Sequence, residues 1–402
     1  MSSDLRKYKL LYTYKAFYKV PYLLPPWGSE EDALFWDYFF NKNKDTFLTD
    51  DFEERINKKL RVGFGVSLLV SGRQALRLLL EGTAFSHGSE IIVPVFCCNV
   101  VPKTIKECGL TPVFADVGED LCLTVKDIKR MLSPKTKAIM LIHAGGAAAG
   151  EYKEISEFCG ANGLFLIDNA AQGWGNEVDG IPLGGMGNAG IVSFGLGKST
   201  FGIGGGMLVA DARTIKKIDE GRAYSKAELL EFYLQYLRRT HTAPFFMYLN
   251  KLKNETSVSE IKGISRFDRT LQYSLFKNLD TLIKRRGEIS MGLMAILDNS
   301  PVSFPQKGNK HAWTKLIVRM PERLKKTFQR YLYLRHIETE DYYSPHYLNG
   351  YWREAGRFSG AGYPSVDKIY KEVFILPNSP RLNSTQLEYL YDVVGRFKVK
   401  YL

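Results

Sequence analysis

Between residues 66 and 210 short apolar runs alternate with longer amphipathic stretches. Ile91–Val93, Val113–Ala115, Ala138–Ile142, Leu164–Ile167, Ile191–Phe194 and Met207–Val209 are brief, almost wholly apolar and bounded by Gly, Pro or polar residues. That pattern predicts strands buried on both faces. Helix-like segments lie between several of them, at Arg73–Phe85, Asn99–Cys108, Val125–Leu132 and Glu151–Cys159. Alternating strand and helix predicts an α/β layer structure, with a mostly parallel sheet and helices on both faces.

After about residue 211 the rhythm changes. Ala227–Lys253 is rich in Leu, Phe and Tyr and is interrupted by Pro244, and Phe267–Leu297 reads as one long helix. Pro301–Asn309 is polar and reads as a linker. The remainder predicts strand (Trp313–Val318), helix (Pro321–His336), an irregular segment, strand (Val373–Leu376) and helix (Ser384–Phe397), a small α+β unit. The expected organisation is an N-terminal arm at 1–25, a large domain at 26–300 and a small C-terminal domain at 301–402. The large domain would carry an aromatic-rich insertion at 226–262.

Composition narrows the class. A chain of 402 residues, 45% apolar and 24% charged, has the mix of a globular protein and is too long for one small core. Its 55 Lys and Arg against 43 Asp and Glu leave a net charge of +12. Such an excess attracts phosphates, nucleic acid or anionic lipid without choosing among them. No nucleic-acid-binding motif accompanies it. The five cysteines lie at 97, 98, 108, 122 and 159, with no Cys-x-x-Cys pair. This disfavours a disulfide framework or a zinc ribbon and fits a reducing, cytoplasmic compartment. The basic N-terminus lacks the apolar run of a signal peptide, and no 18-residue apolar stretch occurs. Residues 5–20 interleave Arg6, Lys7, Lys9, Lys15 and Lys19 with aromatics, and 229–252 add Leu, Phe and Tyr beside Arg238 and Arg239. Two readings stand: packing within a dimer, or peripheral contact with the inner face of an anionic membrane.

The chemistry concentrates between Leu164 and Val209. One apolar strand ends in Asp168-Asn169 and another in Ser193-Phe194, followed by Lys198 in a glycine-rich loop. Ligands of open α/β sheets bind outside the carboxyl ends of the strands, where these residues fall. Lys198 has three readings. Gly197-Lys198-Ser199 imitates the end of a P-loop, but Val192 stands where that motif needs glycine. Glycines at 202 and 204–206 also break the helix that should follow. The second reading is an ordinary exposed lysine. The third is a desolvated lysine of lowered pKa that bonds covalently to an aldehyde cofactor.

The third reading matches a family. Ser71-Gly72-Arg73-Gln74-Ala75-Leu76, Gly88-Ser89-Glu90-Ile91-Ile92-Val93-Pro94 and Leu110-Thr111-Pro112-Val113-Phe114-Ala115-Asp116 fall in order along the chain. Ala170-Ala171-Gln172 and Ser193-Phe194-x-x-x-Lys198 follow. With these, the chain resembles the DegT/DnrJ/StrS sugar aminotransferases, fold-type I enzymes that use pyridoxal 5'-phosphate (PLP). The resemblance runs from about residue 21 to the C-terminus. It implies a large domain with a seven-stranded, mostly parallel sheet, a small C-terminal α+β domain and a homodimer with its active site near the interface.

By the same resemblance Lys198 carries PLP and moves the proton in catalysis. Ser193, Gly72 and Arg73 would form the phosphate site, and Gln172 would contact the ring hydroxyl. His143 matches a family histidine, read equally as a site residue or as a hydrogen-bonded histidine at a strand end. Four positions depart from the family pattern. Asn169 stands where an acidic residue pairs with the pyridine nitrogen, with Asp168 beside it as the alternative carboxylate. Cys98 occupies the ring-stacking position, and Arg73 replaces Thr. Ile261-Lys262-Gly263 replaces an Asn-Tyr-Arg run. The implied activity is amino transfer from an amino acid, expected to be glutamate, to a keto sugar, nucleotide-linked, in surface-polysaccharide or secondary-metabolite sugar synthesis. The rival readings are PLP-dependent sugar dehydration and a catalytically impaired homologue acting as a binding or scaffold protein.

Overall fold

The computed structural model describes residues 19–22, 24–40, 51–61, 63–211, 221–240, 261–305 and 311–402, with side chains of 234–240 excepted. Residues 1–18 of the basic arm and 241–260 of the aromatic insertion lie outside the described residues.

Helices α1 (Ser29–Phe39) and α2 (Phe52–Leu60) lead into strand β1 (Gly65–Leu69). Then come α3 (Gly72–Gly82), β2 (Glu90–Pro94), α4 (Val100–Glu107), β3 (Thr111–Ala115), α5 (Val125–Met131), β4 (Thr136–Ile142), α6 (Tyr152–Ala161) and β5 (Phe165–Asn169). A small hairpin, β6 (Glu177–Val178) and β7 (Ile181–Pro182), precedes β8 (Ala189–Ser193) and β9 (Gly206–Ala210). The seven-stranded sheet has the order β1-β9-β8-β5-β4-β2-β3. Only β9 runs against its neighbours. The mostly parallel sheet expected from the apolar runs is therefore present. Its strands are buried nearly end to end because helices cover both faces.

The second half supplies α7 (Lys226–Thr240), α8 (Arg266–Lys277), α9 (Leu279–Leu297), β10 (Leu316–Arg319), α10 (Glu322–Tyr333), β11 (Glu340–Asp341), α11 (Gly350–Ala355), α12 (Pro364–Ile369), β12 (Val373–Leu376) and α13 (Ser384–Tyr401). Strands β10, β12 and β11 form a separate three-stranded sheet. Its core joins Leu316, Phe328, Phe374 and Phe397 with Val20, Leu24, Ile289 and Leu293, all of which precede residue 301. The single helix expected over Phe267–Leu297 is two helices that meet at Asn278. Leu229, Phe232 and Tyr233 of α7 are buried against Trp27, Phe35, Phe201 and Phe267. These apolar residues of the membrane-surface candidate thus belong to a core. No helix among the described residues is long and apolar enough to cross a membrane.

Candidate active site

The site grows from the carboxyl ends of β5 and β8 and the start of α3. Ser71 caps α3, its hydroxyl accepting from Gln74 N–H at 3.2 Å. The free amides of that first turn and the helix dipole favour an anion. Gly72 lets the turn sit directly against β8. A Cβ there would lie 2.9 Å from Ser193 Cβ and 3.2 Å from the Val192 carbonyl. Gly72, Arg73 and the Ser193 hydroxyl are thereby gathered at one strand end. The Arg73 side chain has no hydrogen bond or ion pair with any described residue and is only partly buried.

Strand register decides which of the two neighbouring polar residues shares that face. Asn169 lies opposite Ile191 across the parallel β5–β8 pair. Side chains alternate along a strand, so Ile191 and Ser193 share a face and Asn169 joins them. Its Oδ1 accepts from Ala171 N–H at 3.1 Å, and its Nδ2 donates only to Met140 Sδ, at 3.5 Å. Asp168 points the other way. One carboxylate oxygen accepts from His143 Nε2 at 2.8 Å, the other from the amides of Gly184 (2.6 Å) and Met186 (2.9 Å). The strand continues through residue 169, so Asp168 does not turn toward the Ser193 face. His143 is fully buried, and its Nδ1 accepts from Ala149 N–H at 3.1 Å. Both ring nitrogens are therefore committed within the fold.

Lys198 sits in the loop between β8 and β9. Arg286 of α9 is buried beneath it and donates to the carbonyls of Ser199 (2.9 Å) and Lys198 (3.4 Å). Burial lowers the Arg286 pKa to about 10. Further along the loop, the buried Asp268 carboxylate accepts from the amides of Ile203 and Gly204 at 2.9 and 3.1 Å. Gly205, at φ +120°, donates to the Val70 carbonyl, a geometry open to a residue without Cβ. Among the described residues nothing pairs with the Lys198 ammonium. Burial first, and the neighbouring Lys315 cation second, lower its pKa to about 8.

Gln172 is held on both sides of its amide: Oε1 accepts from Gly145 N–H at 2.9 Å and Nε2 donates to the Tyr343 hydroxyl at 3.0 Å. Thr314 ties it to the lysine loop. The Thr314 hydroxyl donates to the Gln172 carbonyl at 2.6 Å and lies 2.7 Å from Ser199 Oγ. Cys98 lies near Lys198, Lys315 and Tyr343. Lys262, in the segment replacing Asn-Tyr-Arg, accepts Val70 N–H on its carbonyl and donates its own N–H to Gln74 Oε1. That segment therefore lies beside the α3 turn.

Gly72, Arg73, Ser193, Asn169 and Lys198 thus cluster at one end of the sheet, and Gln172 and Cys98 adjoin through Thr314 and Lys198. Asp168 is turned away, and His143 is bonded to it on that other side. The residues suit an anionic aldehyde cofactor: an unpaired amine of lowered pKa, a helix N-terminus without a side chain in the way, and an unpaired guanidinium. Lys315, Tyr343 and Arg286 did not emerge from the sequence, since each reaches the site from more than 85 residues beyond Lys198 or Gln172. Among the described residues no cluster could hold a metal ion.

Known proteins carry the same arrangement of chain. GDP-perosamine synthase of Vibrio cholerae is 35% identical over 168 residues, which is 41% of this chain and 45% of that protein. The match therefore spans less than half of that relative's length. Helicobacter pylori PseC, an aminotransferase involved in the biosynthesis of pseudoaminic acid, superimposes with a TM-score of 0.74 at 20% identity, covering 95% of this chain and all of PseC. E. coli GDP-4-keto-6-deoxy-D-mannose-3-dehydratase, solved with hydrated PLP bound, superimposes at 0.73 with 16% identity, covering 94% of this chain and all of that one. At these identities the two structures speak for the fold. The profile of the DegT/DnrJ/EryC1/StrS aminotransferase family matches residues 46–395. With that match over most of its length, the chain belongs to the DegT/DnrJ/EryC1/StrS aminotransferase family, whose aminotransferases depend on PLP.

Proposed function

We propose that the chain is a PLP-dependent aminotransferase that moves an amino group from an amino acid, glutamate in the first instance, to a nucleotide-linked keto sugar. The observation that carries this reading is Lys198: an unpaired amine of pKa about 8 on the loop that leaves β8 at Ser193, the strand end against which the α3 turn packs. At pH 7 roughly a tenth of such an amine is uncharged, enough to act as nucleophile and proton carrier. When bound, PLP withdraws electrons from the carbon attached to the substrate nitrogen. The chain's own residues do the rest. The α3 amides, Arg73 and Ser193 would hold the phosphate, and Cys98 would pack on the ring. Gln172, fixed by Gly145 and Tyr343, would serve the ring hydroxyl. Asn169 would meet the pyridine nitrogen, whereas Asp168 acts at a distance, fixing His143 and the 184–186 turn. A homodimer, a surface-polysaccharide or secondary-metabolite pathway and a cytoplasmic location complete this reading.

The test is spectroscopic. Purified protein should absorb in the near-ultraviolet or visible with PLP bound. Borohydride should then fix the cofactor to the peptide containing Lys198, and Lys198→Ala should abolish the fixed adduct. An identical adduct in Lys198→Ala overturns the assignment.

Asn169 favours a second reading, an enzyme-like site with impaired turnover, because an amide cannot hold a pyridinium by charge. Conversion of the cofactor to its amine form on adding glutamate would end that reading. Release of a deoxygenated keto sugar without amine transfer would instead point to dehydration.

A further inference from the structure

We propose that Lys315 is a binding residue for the amino donor, its ammonium receiving the donor's α-carboxylate together with the Tyr343 hydroxyl. The inference rests on the transaminase reading above and assigns a residue that reading leaves without a task.

Lys315 directly precedes β10 and is anchored at the site by its backbone, its N–H donating to the Gly145 carbonyl at 2.9 Å. Its neighbour Thr314 bonds both Ser199 of the lysine loop and the Gln172 carbonyl. The side chain is only 12% exposed, and its ammonium lies 5.7–6.0 Å from the ring centres of Tyr22, Tyr342 and Tyr343. Tyr22 in turn lines one cavity with Lys198 and Thr314. Lys315 stands next to Thr314 behind that cavity, near enough to Lys198 for the two cations to repel.

That space is short of negative charge. Lys315's one ion partner among the described residues is Glu340, at 3.9 Å and half exposed. The position beside Ser193 that would hold a carboxylate is Asn169, and the Asp168 carboxylate is spent on the opposite face. Burial lowers the Lys315 pKa, and the mutual repulsion of the two cations lowers that of Lys198 further, so an anion entering here is drawn by both. The Tyr343 hydroxyl already accepts from Gln172 Nε2, which leaves its proton free to donate. The donor nitrogen has to take the place of Lys198 Nζ. Its α-carboxylate, two bonds away, then comes to rest next to Lys198, where Lys315 and Tyr343 offer a cation and a hydroxyl. A charged hydrogen bond of this kind changes affinity by roughly 10- to 100-fold.

The experiment uses the PLP-loaded full chain, with the borohydride-fixed link to Lys198 confirmed first; its absence would defeat the functional reading, not this one. Loss of the cofactor's visible absorbance is then followed against L-glutamate and L-glutamine, which share the α-carboxylate. Binding of unreactive glutarate is measured by calorimetry. Lys315→Met is expected to raise the half-saturating donor concentration, and to weaken glutarate, by roughly 10- to 100-fold. The limiting rate should stay within a few-fold, and Lys315→Arg should recover most of the loss. Lys315→Met removes a buried charge with a weak partner, so its melting temperature should not fall; Lys315→Gln supplies a second variant. An unchanged donor half-saturation overturns the proposal. So does a loss confined to the limiting rate, a shift seen only for the sugar, or a wild type that carries the cofactor yet reacts with neither donor.

Discussion

At the scale of the residue, the pair Asp168-Asn169 decides how the site handles charge. The carboxylate is committed to three donors, and the amide shares a face with Ser193. Asn169 Oδ1 is occupied by Ala171 N–H, so under the proposed function the atom it would offer a ring nitrogen is the Nδ2 donor. An N–H donor suits an unprotonated pyridine. Asn169→Asp would replace it with a carboxylate that holds the nitrogen protonated. The expected outcome is a several-fold gain in the rate of glutamate half-turnover, measured by stopped-flow absorbance. A lowered rate would mean that the site is built for the neutral ring. The motif spacing made the position of this pair legible in the sequence, but not which residue shares the Ser193 face. That depends on whether β5 persists through residue 169, and the run Leu164–Ile167 looks complete before it.

At the scale of the element, the loop between β8 and β9 is the main device. Its Lys198 end is clamped by Arg286 from α9 and its glycine end by Asp268 from the first turn of α8. Asp268 also accepts from the Tyr224 hydroxyl (2.6 Å) and Ser265 Oγ (2.8 Å), so four donors converge on one buried carboxylate. Asp268→Asn sets an NH2 against some of those donors. It should cost about 2–3 kcal/mol in urea unfolding. Tyr224→Phe, which removes a single donor, should cost about 1 kcal/mol. Equal costs for the two would count against this view. The clamps were invisible in the sequence because helical periodicity ran unbroken over Phe267–Leu297. The break at Asn278, which gives α8 and α9 separate directions, leaves no mark in that pattern. Strand β1 escaped notice for a related reason. Gly65–Leu69 is five residues long and runs almost directly into α3, so its apolar positions merge with those of the helix.

At the scale of the whole molecule, buried cations set a pH dependence. Lys198 titrates at about 8 in the folded chain, against its ordinary value of 10.5. Between those values the unfolded chain holds a proton that the folded chain has released. Stability from this residue therefore rises with pH across that window, and its destabilising effect is complete below about pH 8. Cofactor-free wild type, compared with Lys198→Met, should melt progressively closer to the variant as pH goes from 7 to 10. A constant gap would show that the amine is not desolvated. The excess of 12 positive charges remains only partly used by this site. The α/β class and the ordered motifs around Lys198 were legible in the sequence because they are local patterns. The partnership of Lys198, Gln172, Thr314, Lys315 and Tyr343 was not, since it joins the two sheets and exists only after they dock.

The antiparallel return of β9 beside β8 has a consequence for motion. A loop whose two ends are adjacent strands in the middle of a sheet, tied down at Arg286, Asp268 and Val70, cannot swing as a lid. The wall carrying Lys198 is thus the fixed jaw. Entry and release of a bulky ligand must be accommodated by the facing jaw, built from Tyr22, Lys315 and Tyr343 at the margin of the second sheet. Any widening of the site thus falls to the seam between the two sheets rather than to the loop that carries Lys198.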